Sequence, residues 1–100
     1  MEKEILKAQE IVDGAKEIAD FYGIKHQAYQ AVQEMAELIK ELTDNINDGE
    51  DNLEEIEKET ADVLVMALQL VHLYKMENLL PIMLKKIKRQ KKRMKKEKKF

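Results

Sequence analysis

Two pairs of acidic residues carry the clearest chemical pattern in this chain. The first acidic pair is Glu34 and Glu37, and the second acidic pair is Glu59 and Asp62. A spacing of three residues places both carboxylates of a pair on one helix face, about one turn apart. Four carboxylates held together repel one another by roughly 1 kcal/mol per close pair in water, and by more when partly buried. They therefore predict a site for a hard divalent cation, Mg²⁺ or Mn²⁺ rather than zinc.

The alternative interpretation is that both pairs lie on ordinary solvated helix faces, since Glu is a common helix residue. The neighbouring residues favour the metal site. Gln27 and Gln30 fall in the same polar stripe as the first acidic pair, and this stripe borders an apolar face. Residues 63–73 are apolar in nearly every direction around a helix axis, so Asp62 stands where the chain enters the interior. A carboxylate in that position needs a partner.

The two acidic pairs in this order, separated by a moderate gap and followed by Val63-Leu64-Val65-Met66, resemble the all-α nucleoside triphosphate pyrophosphohydrolases of the MazG type. The segment FYGIKHQ at 21–27 is similar to the entry of the same helix in short, single-domain members. The resemblance runs from about Phe21 to Arg93. Many relatives have Glu-Glu-x-x-Glu, whereas Gln33 stands at the first of these positions here. On a helix Gln33 points away from the ligand face, so this departure leaves the predicted ligands intact.

The resemblance implies Mg²⁺-dependent hydrolysis of a nucleoside triphosphate, a deoxynucleotide foremost, to the monophosphate and pyrophosphate. All four carboxylates are then metal ligands, and Glu34 or Glu37 is the catalytic group that orients the attacking water. A divalent ion neutralises phosphate charge and lowers the pKa of bound water, which suits this reaction. Side-chain amides and guanidinium groups suit a base, a sugar or a phosphate. Four residues are expected to bind substrate in this way: Gln27, Gln30, Arg89 and Arg93.

The charge distribution supports a second class of function. Residues 85–100 contain eleven Lys or Arg and one Glu, so this segment carries +10 and the preceding residues −12, within a net charge of −2. The alternative to an enzyme is therefore a non-enzymatic helical interaction module whose basic arm binds nucleic acid. Nucleic acid is the less favoured partner. A third hypothesis keeps the same chemistry with dUTP as the substrate, and the sequence shows no pocket that selects a base.

Composition predicts a small all-α domain. The chain has 100 residues, 44% of them apolar, with three Gly, one Pro and strong helix formers nearly throughout. We predict a four-helix antiparallel bundle that forms a single domain over residues 1–94, and a basic tail at 95–100 that frays. The loop between the second and third helices is expected at 44–52. The helices are predicted at 4–20, 24–43, 53–76 and from about Pro81 onward.

Length and composition also bear on assembly and location. A domain of this size buries little surface by itself, and a third helix that is apolar on all sides needs extra cover. We therefore expect a homodimer or homotetramer built on the third helix, with the site near the interface. The chain contains no cysteine, no signal peptide and no apolar run long enough to span a bilayer. These features favour a cytoplasmic protein without a membrane partner.

Overall fold

Four helices make up the computed structural model, which describes residues 1–98. Within these residues the chain contains no strand, so the all-α prediction is confirmed. No helix in this range is both long and apolar enough to cross a membrane. The bounds of the four helices are α1 Glu2–Tyr22, α2 Ile24–Asp48, α3 Leu53–Leu73 and α4 Leu79–Glu97.

Two glycines with positive φ separate the first three helices. Gly23 has φ 84°, and its backbone N–H donates to the carbonyl of Ala19 at 2.8 Å, which ends α1 two residues beyond the predicted end at residue 20. Gly49 has φ 64° and caps α2 in the left-handed conformation. Because this cap comes at Gly49, α2 continues to Asp48 instead of ending at Thr43, and the predicted loop shortens to residues 49–52.

The α2–α3 hairpin is held at its closed end by Asn52, a buried residue in the N-cap position of α3. The side chain of Asn52 makes no capping hydrogen bond to its own helix. Its Nδ2 donates instead to the backbone carbonyl of Glu41 at 2.9 Å and to the Glu41 carboxylate at 2.7 Å. Asn45 donates to Asn52 Oδ1 at 3.2 Å. These bonds join α3 to the last turns of α2 and fix the hairpin register.

The core lies along α3, which packs against both α1 and α2. Its buried apolar side chains are small except for one methionine: Ala15, Ala19, Ala31 and Met66. Alanines on α1 and α2 allow the helix backbones to approach closely. A core of this size covers only part of α3, and Leu64 remains 60% exposed. A single chain therefore leaves the third helix partly uncovered, in line with the expectation that it needs extra cover, and cover by a second copy stays a prediction.

Helix α4 stands apart from the other three. No Cα atom of α4 lies within 8 Å of a Cα atom in α1, α2 or α3. The radius of gyration is 16.9 Å, compared with about 13 Å for a compact chain of 100 residues. The expected closed four-helix bundle is therefore not formed within one chain. Leu79 and Met83 border α3, and the helix then leads away because most of its remaining residues are basic.

The helical part of α4 extends further than the sequence indicates. Pro81 lies in its first turn, as predicted. The helix continues to Glu97 and so includes the first residues of the segment that is predicted to fray. Lys99 and Phe100, the end of that segment, lie outside the described residues.

Candidate metal centre

The antiparallel pairing of α2 and α3 brings the two acidic pairs together. One carboxylate oxygen from each of Glu34, Glu59 and Asp62 lies within 4.8 Å of the others. The residues come from two helices in one register, since Glu34 lies opposite Asp62 and Gln27 contacts Gln69 two turns further along. The structure thus places three of the four predicted ligands at one point between the helices.

The fourth predicted ligand, Glu37, borders this group of three oxygens. Its carboxyl group is within hydrogen-bonding reach of Glu59, and its negative charge acts on both Glu34 and Glu59. Glu37 itself is exposed to solvent. Glu37 therefore lies at the open edge of the cluster, where a side chain can meet water or a bound molecule.

Two oxygens in the cluster lack any hydrogen-bond partner. Glu34 Oε2 and Glu59 Oε2 are buried, and within residues 1–98 nothing donates a hydrogen bond to either atom. An unpaired buried polar atom costs about 1–3 kcal/mol, and a charged one costs more. A cation placed among these oxygens would offset this cost by supplying the missing positive partner. The residues present therefore fit a divalent ion.

Burial and mutual repulsion change how these carboxyl groups hold protons. Desolvation, followed by the negative charges of Glu37, Asp62 and Glu59, raises the pKa of Glu34 to about 7. Desolvation is also the main cause that raises the pKa of Glu59, with further contributions from Glu37 and Asp62, while its contact with Glu34 acts in the opposite direction. Below about pH 7, without a cation, Glu34 thus retains a proton that an isolated carboxyl group would have lost.

The chemistry of the donor set favours a hard ion. All the side chains in the cluster are carboxylates, and the chain contains no cysteine to add a soft ligand. Mg²⁺ takes oxygen ligands and commonly keeps several waters while it bridges one or two carboxylates to phosphate groups. Asp62 and Glu37 are exposed to solvent, so water reaches this side of the cluster.

The predicted substrate residue Gln27 occupies an interior position. It is 3% exposed, and its Nε2 donates to Oε1 of Gln69 at 2.6 Å. The amide oxygen of Gln27 lies 2.6 Å from Nδ1 of His26. Both ends of the Gln27 amide are therefore engaged within the protein. Gln30 is half-buried on the same helix, one turn before Glu34, and is better placed to meet a bound molecule.

Sequence reasoning missed Gln69, the buried partner of Gln27. Gln69 is 2% exposed and lies inside the apolar run of α3. A lone amide within an apolar run needs a buried hydrogen-bond partner, and this requirement could have identified Gln69 from the sequence. Its Nε2 also lies 3.7 Å from the sulfur of Met66. The amide pair thus fixes how α2 and α3 face each other two turns away from the carboxylates.

We expect Gln69→Ala to lower the free energy of unfolding by about 1–3 kcal/mol, because it leaves the buried Gln27 amide without its acceptor. Chemical denaturation followed by circular dichroism measures the change. The matched control is Gln33→Ala, which makes the same substitution at an exposed position of α2. Equal stability of the two variants would show that the Gln27–Gln69 bond contributes nothing to the fold.

The aromatic residues at the α1–α2 turn pack locally and not in the core. Phe21 is 81% exposed and meets the Tyr22 ring edge-on at 4.9 Å. Tyr22 in turn stacks on His26, with ring centroids 4.5 Å apart and planes 14° apart. These contacts are local packing of the turn.

The remaining candidate residues lie away from the carboxylates. Arg89 and Arg93 are exposed on α4, which does not pack on α2 or α3, so a single chain does not bring them beside the cluster. Their contact with phosphate stays a prediction. His72 faces α1, where its Nε2 lies 2.8 Å from Asp20 Oδ1. This pair links α3 to α1, and His72 takes no part in the carboxylate cluster.

Comparison with known proteins identifies no relative of this chain. No protein-family description, no curated protein and no solved structure matches this chain.

Proposed function

We propose that this chain hydrolyses nucleoside triphosphates to the monophosphate and pyrophosphate with Mg²⁺ as the cofactor, as the MazG-type resemblance implies. One observation carries the proposal: Glu34, Glu59 and Asp62 converge from two helices, and two of their buried oxygens have no partner. Carboxylates on fully solvated helix faces would have water as a partner for every oxygen, whereas Glu34 Oε2 and Glu59 Oε2 are buried. The convergence therefore favours a ligand set over the solvated-face alternative.

In this proposal the three converging carboxylates hold Mg²⁺, or Mn²⁺ in its place. A bound ion of this kind would neutralise charge on the phosphate groups and lower the pKa of a bound water. Glu37 lies outside the group of three oxygens and remains free to accept a hydrogen bond from the attacking water. Glu34 is the other residue proposed for this role. The exposed edge of the cluster admits the triphosphate chain.

The proposed substrate contacts differ in how they are supported. Gln30 is half-buried one turn from Glu34, and its amide can donate to or accept from a base or sugar. Gln27 lies in the interior of the same helix, and its bond to Gln69 holds this part of α2, and with it Gln30, against α3. Arg89 and Arg93 suit bidentate phosphate contact, and in the proposal a second copy of the chain supplies them. We also propose that the protein is cytoplasmic and forms a homodimer or homotetramer.

A product assay tests the activity. Purified protein is incubated with each common ribonucleotide and deoxynucleotide, dUTP included, with and without Mg²⁺. Pyrophosphate and the monophosphate are expected in equal amounts, with no orthophosphate and no turnover in EDTA. Release of orthophosphate alone would assign a different phosphoanhydride bond. Absence of turnover with every nucleotide would reject the enzyme.

The exposed basic helix α4 favours one other candidate, a helical module that binds nucleic acid. Its Lys and Arg side chains are exposed over the described part of the helix, and no other helix packs over them. Binding of this type depends steeply on salt, because each phosphate contact releases counterions. A DNA titration at several salt concentrations separates the candidates. Strong, salt-sensitive binding without nucleotide turnover would support the module and reject the enzyme.

A further inference from the structure

Helices α1 and α3 and the first turns of α4 form an apolar groove that nothing in the chain fills. The groove has a volume of about 580 Å³. Its lining includes Ile11, Leu64, Leu68, Val71 and Met83. Leu64 is 60% exposed, and Ile11 and Met83 are each more than half exposed. A continuous apolar depression that nothing in the chain fills is a surface on which another protein can pack.

Helix α4 carries an apolar stripe that has no partner in the chain either. Leu80, Leu84, Ile87 and Met94 recur at the spacing of one helix face, and their exposures run from 53% to 76%. No Cα atom of another helix lies within 8 Å of α4. An isolated amphipathic helix is only marginally stable in water, because helices gain most of their stability by packing an apolar face. The α4 stripe therefore also requires a covering surface.

The accessible surface of the chain shows how much cover is missing. The chain exposes 8874 Å², whereas a compact monomer of 11.7 kDa exposes about 5,900 Å². The excess is about 3,000 Å², and a stable dimer of ordinary size buries only about 800 Å² on each partner. The uncovered surface is therefore more than a stable dimer needs, and a second copy that covered about 800 Å² or more of it would remove part of the excess.

Charge complementarity points to the same occupant. On α3, the face that carries Leu64 and Leu68 continues one turn before Ala61 into Glu57. On α4, the apolar residues up to Leu84 give way to a basic run from Lys85. The apolar face of α3 thus ends at an acidic residue beyond the groove, and the apolar part of α4 ends at a basic run. The whole chain repeats this contrast, with a charge of −12 over residues 1–84 and +10 over residues 85–100.

We propose that two copies of this chain associate by placing the α4 stripe of each copy in the α1–α3 groove of the other. One partner then covers both unfilled surfaces, whereas a lipid surface or a nucleic acid would cover α4 and leave the groove open. The chain's own α4 starts at the groove edge with Leu79 and leads away from it. The inference rests on the groove and on α4, and it stands whether or not the carboxylates are catalytic.

Disulfide cross-linking tests the proposed pairing directly, because the chain has no native cysteine. Chains with Leu68→Cys in the groove are mixed with larger, tagged chains carrying Ile87→Cys on the stripe, and the mixture is oxidised. We expect a mixed disulfide between the two kinds of chain. The matched control is Ile82→Cys, because Ile82 lies on the other side of α4 beside Lys85 and Arg89. Equal cross-linking of Ile82→Cys and Ile87→Cys would overturn the pairing.

A chain that carries both substitutions distinguishes α4 packing in the groove of a second copy from α4 packing in its own groove. We expect Leu68→Cys/Ile87→Cys to give covalent dimers at micromolar concentration. A disulfide within one chain that remains monomeric would overturn the proposal and show that α4 closes over its own groove.

Sedimentation of substituted chains gives an independent measurement. Leu64→Gln and Ile87→Gln are expected to weaken the dimer about tenfold or more, because each removes a large apolar side chain from the interface. Ile39→Gln is the matched control, since Ile39 is 63% exposed on α2 outside the groove. A monomeric parent chain would overturn the proposal. Binding of that monomer to phosphatidylserine vesicles or to DNA would then assign α4 to a lipid surface or to nucleic acid.

Discussion

Replacing Asp62 with Asn or Glu34 with Gln is expected to reduce pyrophosphate release by about 100-fold or more. Each substitution removes one negative oxygen ligand and leaves the size of the side chain unchanged. A divalent ion provides several kcal/mol of charge stabilisation in reactions of phosphate groups, and each 1.36 kcal/mol corresponds to a factor of ten in rate. Steady-state release of pyrophosphate from the preferred nucleotide measures the effect.

The control for these variants is Glu17→Gln, which removes one exposed carboxylate of α1 outside the cluster. It should keep full activity. Circular dichroism should show the same helix content in all three variants. Full activity in Asp62→Asn or Glu34→Gln would mean that the cluster does not serve catalysis, and the enzyme assignment to these residues would be lost.

The same Glu34→Gln variant is expected to raise the stability of the metal-free protein at pH 8. Glu34 Oε2 is buried without a partner, and the charge of Glu34 is opposed by those of Glu37, Asp62 and Glu59. A neutral amide removes this repulsion. Replacing a carboxylate that has a purely structural role would lower the stability instead. Higher stability together with lower activity in Glu34→Gln would therefore identify Glu34 as part of a ligand site. A lower midpoint of thermal unfolding for Glu34→Gln would contradict this reasoning.

The second large effect is on the stability of the metal-free protein as a function of pH. The pKa of Glu34 rises from 4.5 to about 7 on folding, and that of Glu59 is raised in the same direction. The folded chain therefore binds more protons than the unfolded chain between these pH values. The contribution of Glu34 to the free energy of unfolding is therefore fully present below about pH 4.5, is lost as the pH rises to about 7, and stays lost at higher pH.

Magnesium should reverse this loss at high pH. At pH 8 the carboxylates are ionised, and an ion that binds only the folded chain stabilises it by about 2.7 kcal/mol at a concentration of 100 times Kd. At pH 5 protons compete for the same oxygens, so the stabilisation should be small. Denaturant titrations at both pH values, with and without Mg²⁺, measure the difference. Equal stabilisation of wild type and Asp62→Asn would place the ion elsewhere.

Helical periodicity predicted the fold class and the carboxylate convergence, because both depend on local spacing. A spacing of three residues between the acids of a pair places both on one helix face, and the loop between the second and third helices lets them run antiparallel. Glu34, Glu59 and Asp62 therefore meet as expected. The exact register depends on Asn52, whose side chain bonds to Glu41 of α2 instead of capping its own helix. A capping preference alone does not distinguish these two uses of an asparagine.

The position of α4 and the role of Gln27 were not accessible from the sequence in the same way. The apolar stripe of α4 indicates that the helix packs on something, and it does not specify whether the partner is the same chain. Gln27 shares a helix stripe with Glu34, but its amide bonds to Gln69 in the interior. Periodicity assigns a residue to one side of a helix, and only the neighbouring helix decides whether that side is solvent or core.

Direct measurement of Mn²⁺ binding to the metal-free protein tests the central claim, that carboxylates from α2 and α3 form one divalent-cation site. Titration followed by electron paramagnetic resonance counts bound and free Mn²⁺ at pH 8. We predict one bound ion per chain in wild type and in Glu17→Gln, and greatly weakened binding in Glu34→Gln and Asp62→Asn. Binding that is equal in all four proteins, or absent in wild type at millimolar Mn²⁺, would contradict the account.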